Sequence, residues 1–247
     1  MGGVAAIFAR VLRTAVSGSV PGVGMGKCWI DKIGLVLMVL ILAAPAGRQR
    51  AQAQADHAVP CCGPITQEGE KLSGSLDAMD VESHWLNHQH VNWETGEPDE
   101  GEDYTGPGTH THCSAFAAAA AKRLGVYLLR PPEHGQILLA NAQFEWLGSE
   151  GGQKAGWRAV SGMEEAQRQA NQGNLVLAAY ESPNDRKPGH DAIVRPSKRP
   201  LETLLADGPE LISAGVYNHN KVNARVAFEH HPGAFPAGIR YYEHALK

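Results

Sequence analysis

The sequence has no apolar run long enough to cross a membrane as an ordinary helix. Its longest, Ile33 to Ala46, holds about 14 residues, where a span needs roughly 20. The flanks of that run give it another meaning. Lys27 and Lys32 precede it, and Gly47, Arg48 and the string Ala51-Gln52-Ala53-Gln54-Ala55 follow. A basic flank, a short apolar core and a small-residue exit form the layout of a secretory signal. The expectation is an exported protein, periplasmic or secreted, that meets the membrane only through this segment. A retained N-terminal anchor is the alternative, and Met25 offers a later translation start. Residues 1–53 are set aside from fold reasoning in either case.

Positive charge is scarce as well. The first 53 residues carry six of the 22 Lys/Arg and one of the 26 Asp/Glu, so the remainder holds 16 bases against 25 acids, net −9. No basic stripe is left, which disfavours nucleic acid as a partner. Aromatics reach only 6% and no internal repeat is present, yet 43% apolar residues suffice for one domain with a core. Six acids crowd between Glu94 and Asp103 with no base among them. Their spacing fits no known ion-binding loop, so they read as a solvated loop.

Cysteine is sparse too. Cys28 lies in the leader, Cys61 and Cys62 are adjacent, and Cys113 stands apart. In an oxidising compartment the adjacent pair has three fates open: bonded to each other, to another chain, or to nothing the sequence reveals. Cys113 is then the odd thiol.

Residues 54–80 read as a polar entry segment and 81–247 as one domain. Val81, Trp85 and Leu86 suggest a short helix, ended by the loop Glu94–Thr109. Ser114–Leu124 has the composition of a strong helix, with Lys122-Arg123 in its last turn and Gly125 as its stop. After the break at Pro131-Pro132, Ile137–Trp146 forms a second helix, and Gly151–Gly156 a flexible turn. Ser161 caps a third helix, Met163–Gln172, with Glu164 placed for a capping box. Beyond Gly173 the period changes. Leu175–Tyr180 reads as a buried strand, His190–Arg195 as a second, and Leu211–Tyr217, Arg225–Phe228 and Ile239–His244 as three more. Helices first and strands afterwards predict an α+β fold, helices packed on an antiparallel sheet.

The chemistry centres on Cys113, which sits immediately before a helix in Thr-His-Thr-His-Cys-Ser-Ala-Phe. A helix start carries partial positive charge, which favours thiolate. Its free N–H groups, that of Ser114 included, supply part of an oxyanion hole. His190 opens a strand after Pro-Gly, and alternation puts His190, Ala192 and Val194 on one face and Asp191, Ile193 and Arg195 on the other. A histidine at a strand mouth can meet a thiol at a helix start, which is a recurring nucleophile–base unit.

With Pro188-Gly189-His190 and His112-Cys113-Ser114-Ala115-Phe116 in this order, the chain resembles the papain-like cysteine hydrolases of the NlpC and CHAP type. More narrowly it is similar to an exported branch of them. The segments carrying that likeness include His84-Trp85-Leu86, Val91-Asn92-Trp93-Glu94-Thr95-Gly96, Leu124-Gly125-Val126-Tyr127, Pro131-Pro132-Glu133-His134, Leu139-Ala140-Asn141-Ala142-Gln143 and Ile193-Val194-Arg195-Pro196. It spans about residues 81–245. The resemblance implies a papain-like fold, a Cys113–His190 pair attacking an amide carbonyl, an acyl-enzyme, and hydrolysis by water without cofactor or metal. Peptidoglycan peptides are the implied substrate. The resemblance also implies a third group on the strand after the histidine strand. Asn218 fits best, ahead of Asn220, Asp207 and Glu210. A second oxyanion donor is expected from Tyr104 or Trp93. Asp191 departs from the pattern, where a small or branched apolar residue is usual; it faces away from Ala192, with exposure to solvent one outcome, and it adds a charge beside the base.

Two other readings use the same residues. His110 and His112 beside Cys113 suggest a zinc hydrolase, although no His-Glu-x-x-His and no carboxylate at ligand spacing accompany them. A non-catalytic cell-envelope binding module on a papain-like fold is the other, and Asp191 is its best support.

Overall fold

The structure, a computed structural model, describes residues 61–247. The leader and its cleavage therefore lie outside the described residues. The centre of the fold follows from one stretch of composition. Helix α2 (Cys113–Arg123), which follows α1 (Gln67–Asp77), has every residue from Cys113 to Ala121 buried. An unbroken buried run means a helix covered on all sides, and its alanines let neighbouring backbones come close. Gly125 ends it at φ +75°, with the Val126 N–H donating to the Ala121 carbonyl.

The remaining elements are α3 (Leu139–Leu147), α4 (Glu150–Lys154), β1 (Arg158–Val160), α5 (Met163–Asn171), β2 (Leu175–Tyr180), β3 (His190–Val194), α6 (Leu201–Asp207), β4 (Glu210–Ser213), β5 (His219–Asn223), α7 (Ala224–Ala227), a π-type turn at Ala234–Gly238 and β6 (Arg240–His244). The strands form one sheet in the order β1-β6-β2-β3-β4-β5, every neighbour antiparallel. The expected α+β class and antiparallel sheet are present.

The sheet is covered on both faces. Leu177, Ala179, Ile193 and Ile212 share one apolar cluster with Phe116 and the alanines of α2, with Leu72 and Leu76 of α1 and with Trp85. Val176, Ala178, Ala192 and Val194 share the other with Ala166 and Ala170 of α5 and with Phe228. In β2 and β3 consecutive residues alternate between these clusters, as strand geometry requires. The pairing Leu177↔Ile193 keeps like faces together.

Several elements differ from the sequence expectation. Residues 54–80 are not merely a polar entry, because they contain α1. Thr66 caps it by accepting from the Gly69 N–H, and Leu72 and Leu76, four apart, seat it in the core. The helix expected after Val81 is a set of turns. Trp85 and His88 have φ of +52° and +71°, incompatible with a right-handed helix. The Val81, His84 and Trp85 carbonyls instead accept from the Asn218 amide. Helix α5 starts at Gly162 rather than on a Ser161 cap, with no side-chain capping bond. Gly151–Gly156 is mostly α4, capped by Ser149. Residues 225–228 fall in and just after helix α7 instead of forming a strand, since Asn223 accepts from the Val226 N–H and starts a helical turn. The strand there is β5, whose half-exposed polar residues show no alternation to read. Among the described residues no helix is long and apolar enough to cross a membrane.

Candidate active site

Cys113 opens α2 and is 4% exposed. Hydrogen bonding from the Ser114 and Asp191 backbone and from the Thr111 side chain acts to favour its thiolate. It lines a cleft of about 220 Å³ together with Thr109, Thr111, Ile137 and Pro188. Burial pushes the thiol up to about 11, the Asp191 carboxyl adds to the rise, and the three hydrogen bonds only partly offset both. The helix-end field does not win. At neutral pH Cys113 is a thiol, not the thiolate its position suggested.

His190 is buried at the first position of β3. Its Nε2 is hydrogen-bonded to the Ser213 hydroxyl at 3.0 Å. Phe228 packs edge-on at 4.8 Å and His231 stacks at 4.9 Å and 18°. Burial holds the imidazole well below the usual histidine range, helped by His231 and His230. Burial and His230 likewise bring His231 to about 4. Both rings are neutral at pH 7. They line a cleft of about 270 Å³ with Tyr217 and Val226 at its edge. This cleft shares Thr109, Thr111 and Pro188 with the cleft of Cys113.

No hydrogen bond joins Cys113 and His190, and the His190 Nε2 is bonded to the Ser213 hydroxyl instead. Helix α2 covers the face of β3 that carries Ile193, while the partners of His190, Ser213 and Phe228, belong with Ala192 and Val194 on the other. The titratable neighbour of the sulfur is Asp191. That residue is fully buried, which removes the solvent-exposed outcome. It stands opposite Ala179 of β2, and neither carboxyl oxygen has a hydrogen-bond partner. Burial raises its carboxyl well above the ordinary range.

Asn218 does not orient His190. Its Nδ2 donates to three carbonyls of the 81–85 turns and its Oδ1 accepts from the Gly215 N–H, which occupies the whole side chain. Asn220 ties Val81 and Asp80 in the same way, Asp207 pairs with Arg225, and Glu210 lies 3.9 Å from Arg195 and from Arg199. Tyr104 and Trp93 are not among the residues lining the cleft of Cys113. The Tyr104 hydroxyl donates to the Pro107 carbonyl, and Trp93 packs on the core beneath Lys122. Ser114 does line that cleft. His110 and His112 lie side by side, ring centres 5.4 Å apart, but the His112 Nε2 is bonded to the Gln89 carbonyl. Among the described residues no three His, Cys, Asp or Glu gather as a metal-holding group. Cys61 and Cys62 are bonded to each other, the first of the three fates left open.

Sequence reasoning missed Ser213 and the place of Asp191. Ser213 had a faint signal, a hydroxyl in an otherwise apolar run. Asp191 had a clearer one, since strand alternation puts it on the same face as Ile193.

No protein-family model matches the chain, and no curated protein matches it either.

Proposed function

We propose that this chain is an exported cysteine hydrolase with a papain-like arrangement, cleaving amide bonds of peptidoglycan peptides with Cys113 as its nucleophile. The observation that carries this reading is the setting of the sulfur. It sits at the first residue of a buried helix, at the wall of a cleft, beside the free backbone N–H groups of that helix start. Donors that meet a sulfur there are placed to stabilise the anion that develops at that spot. Cys113 attacks the carbonyl, the amine departs, and water releases the acyl group. His190, held by Ser213 in the adjoining cleft, faces ligand there as a neutral imidazole. Thr109 and Thr111 form the shared wall along which an extended peptide runs.

Purified muropeptides incubated with wild type and Cys113→Ala test the proposal. The expected result is a new amine terminus, detected by mass spectrometry, with the wild type only. Absence of any Cys113-dependent product overturns it. The protonated thiol, with no hydrogen bond to an imidazole, favours a second reading, a binding module without turnover. In that case muropeptides bind wild type and Cys113→Ala equally and stay intact.

A further inference from the structure

We infer that Arg186 is the specificity residue of the Cys113 cleft, where it binds a carboxylate that the substrate carries next to the scissile amide. This assignment rests on the hydrolase reading above for the role of the cleft, and it names the kind of peptide the cleft takes.

Charge is separated along the two joined clefts. The chain beyond residue 53 is net −9, yet among the described residues no carboxylate lines the cleft of Cys113. The one lining side chain of fixed charge there is Arg186, whose guanidinium stays protonated at any working pH. The adjoining cleft of His190 has the opposite character, with Glu229 as its one lining carboxylate among the described residues. The shared wall of Thr109, Thr111 and Pro188 therefore runs from a positive end to a negative one. A peptide laid along it is oriented by that field. Its anionic group lies beside Cys113, and the rest of its chain lies in the cleft of His190.

The loop between β2 and β3 sorts its own charges in the same sense. Glu181 and Asp185 line a different hollow, together with Glu145 of α3. Arg186 and Pro188 line the cleft of Cys113. Among the described residues Arg186 enters no ion pair, so its guanidinium is left to a ligand.

The loop is also fixed in place. The Asn141 Oδ1 of α3 accepts from the Gly189 N–H at 2.6 Å and from the Ser182 N–H at 3.4 Å. Its Nδ2 donates to the Lys187 carbonyl at 3.1 Å. At the tip the Asn184 side chain accepts from the Arg186 N–H at 3.0 Å, the short-range bond that makes Asn a turn residue. A Cβ at Gly189 would collide with the Tyr180 carbonyl oxygen, so glycine there lets the loop close on β2. The same helix reaches the opposite wall, where the Gln143 Nε2 donates to the Ser114 carbonyl at 3.2 Å. The Ala-Asn-Ala-Gln segment thus holds Arg186 and the start of α2 in one frame. A guanidinium offers a carboxylate two parallel N–H donors, and a group clamped in this way sets the neighbouring carbonyl at the sulfur.

The test reads binding separately from turnover. Protein carrying Cys113→Ala, which leaves the peptide intact, is titrated by calorimetry with a muropeptide and with two carboxamide forms of it. One is amidated at the C-terminal carboxyl and the other at a side-chain carboxyl, and the form that loses affinity identifies the group bound. The loss should be about tenfold at low salt and shrink as salt is raised. Adding Arg186→Ala should abolish the difference between acid and amide, and Arg186→Lys should restore part of it. Lys187→Ala removes a cation of the same loop that lines neither cleft and should leave the difference whole. The assignment is overturned if acid and amides bind alike, if none of them binds, if Arg186→Ala keeps the difference, or if Lys187→Ala also removes it. Turnover by protein with its native Cys113 judges the hydrolase reading by itself. An Arg186-dependent preference with no Cys113-dependent product sinks the hydrolase and leaves the carboxylate site standing. Product formed with equal kcat/KM from acid and amides does the reverse.

Discussion

Replacing Asp191 by Asn should make stability insensitive to pH over a range where the wild type weakens. The native protein holds this carboxyl neutral, because ionising it strands a charge among Ala179, Ile193 and Cys113 with no donor to either oxygen. Its value is raised well above 3.8 in the fold, whereas the unfolded chain releases the proton near that ordinary value. Between the two values the native state binds more protons than the unfolded one. Stability is therefore fully present below the unfolded value and falls as pH rises, by about 1.4 kcal/mol per pH unit, until the raised value is passed. Asn has the same shape and cannot ionise, so it loses the slope while keeping a constant offset from its own buried amide. Urea unfolding followed by the fluorescence of buried Trp85 and Trp157, at pH 4, 5, 6 and 7, reads the difference. Buried His190 and His231 also titrate, but they are common to both proteins and cancel. The stability of the variant minus that of wild type should rise steadily with pH. Parallel stability curves would refute the reasoning, because they would mean that Asp191 ionises in the fold as easily as in the unfolded chain.

Other expectations follow from the same geometry. With its thiol near 11, Cys113 in the native protein should react with iodoacetamide at pH 7.5 roughly 300-fold more slowly than free cysteine, from the thiolate fractions alone; a rate that has levelled off by pH 8.5 contradicts the burial argument. Asn218→Ala leaves three carbonyls without their donor and should cost about 2–4 kcal/mol in thermal or urea unfolding, with kcat unchanged at temperatures where the variant is folded. A fall in kcat without a fall in stability would return Asn218 to the catalytic machinery. Gln143→Ala removes the amide that donates to the Ser114 and Leu129 carbonyls. It should cost about 2–4 kcal/mol and raise the alkylation rate of Cys113 by loosening the start of α2; unchanged denaturation midpoints would show those carbonyls finding other partners.

Much of the fold was legible from local pattern. The alanine run of α2 with its glycine stop, the uninterrupted apolar strand β2 and the alternation in β3 each rest on interactions within a few residues of one another, so composition and period reveal them. The failures share a physical cause as well. The turns after Val81 replaced a helix because Asn218, far along the chain, satisfies their carbonyls. Helix α1 was overlooked because its polar residues mask two leucines that matter only once α2 is present to receive them. Ser213, not Asn218, meets the imidazole, since no local signal says which polar group a distant ring will find.

Cys113 shows the division most clearly. Its sequence alone determined that it opens a helix, and that His190 and Asp191 point to opposite faces of their strand. Both follow from backbone geometry, with no tertiary information needed. Which of those faces α2 would cover was decided only by the packed structure, because alternation sorts residues into two sides without saying what each side meets. By laying α2 on the side of Ile193, the tertiary structure gave the sulfur a buried carboxyl for a neighbour and turned the imidazole toward Ser213. Burial then outweighed the helix end, and the thiol kept its proton.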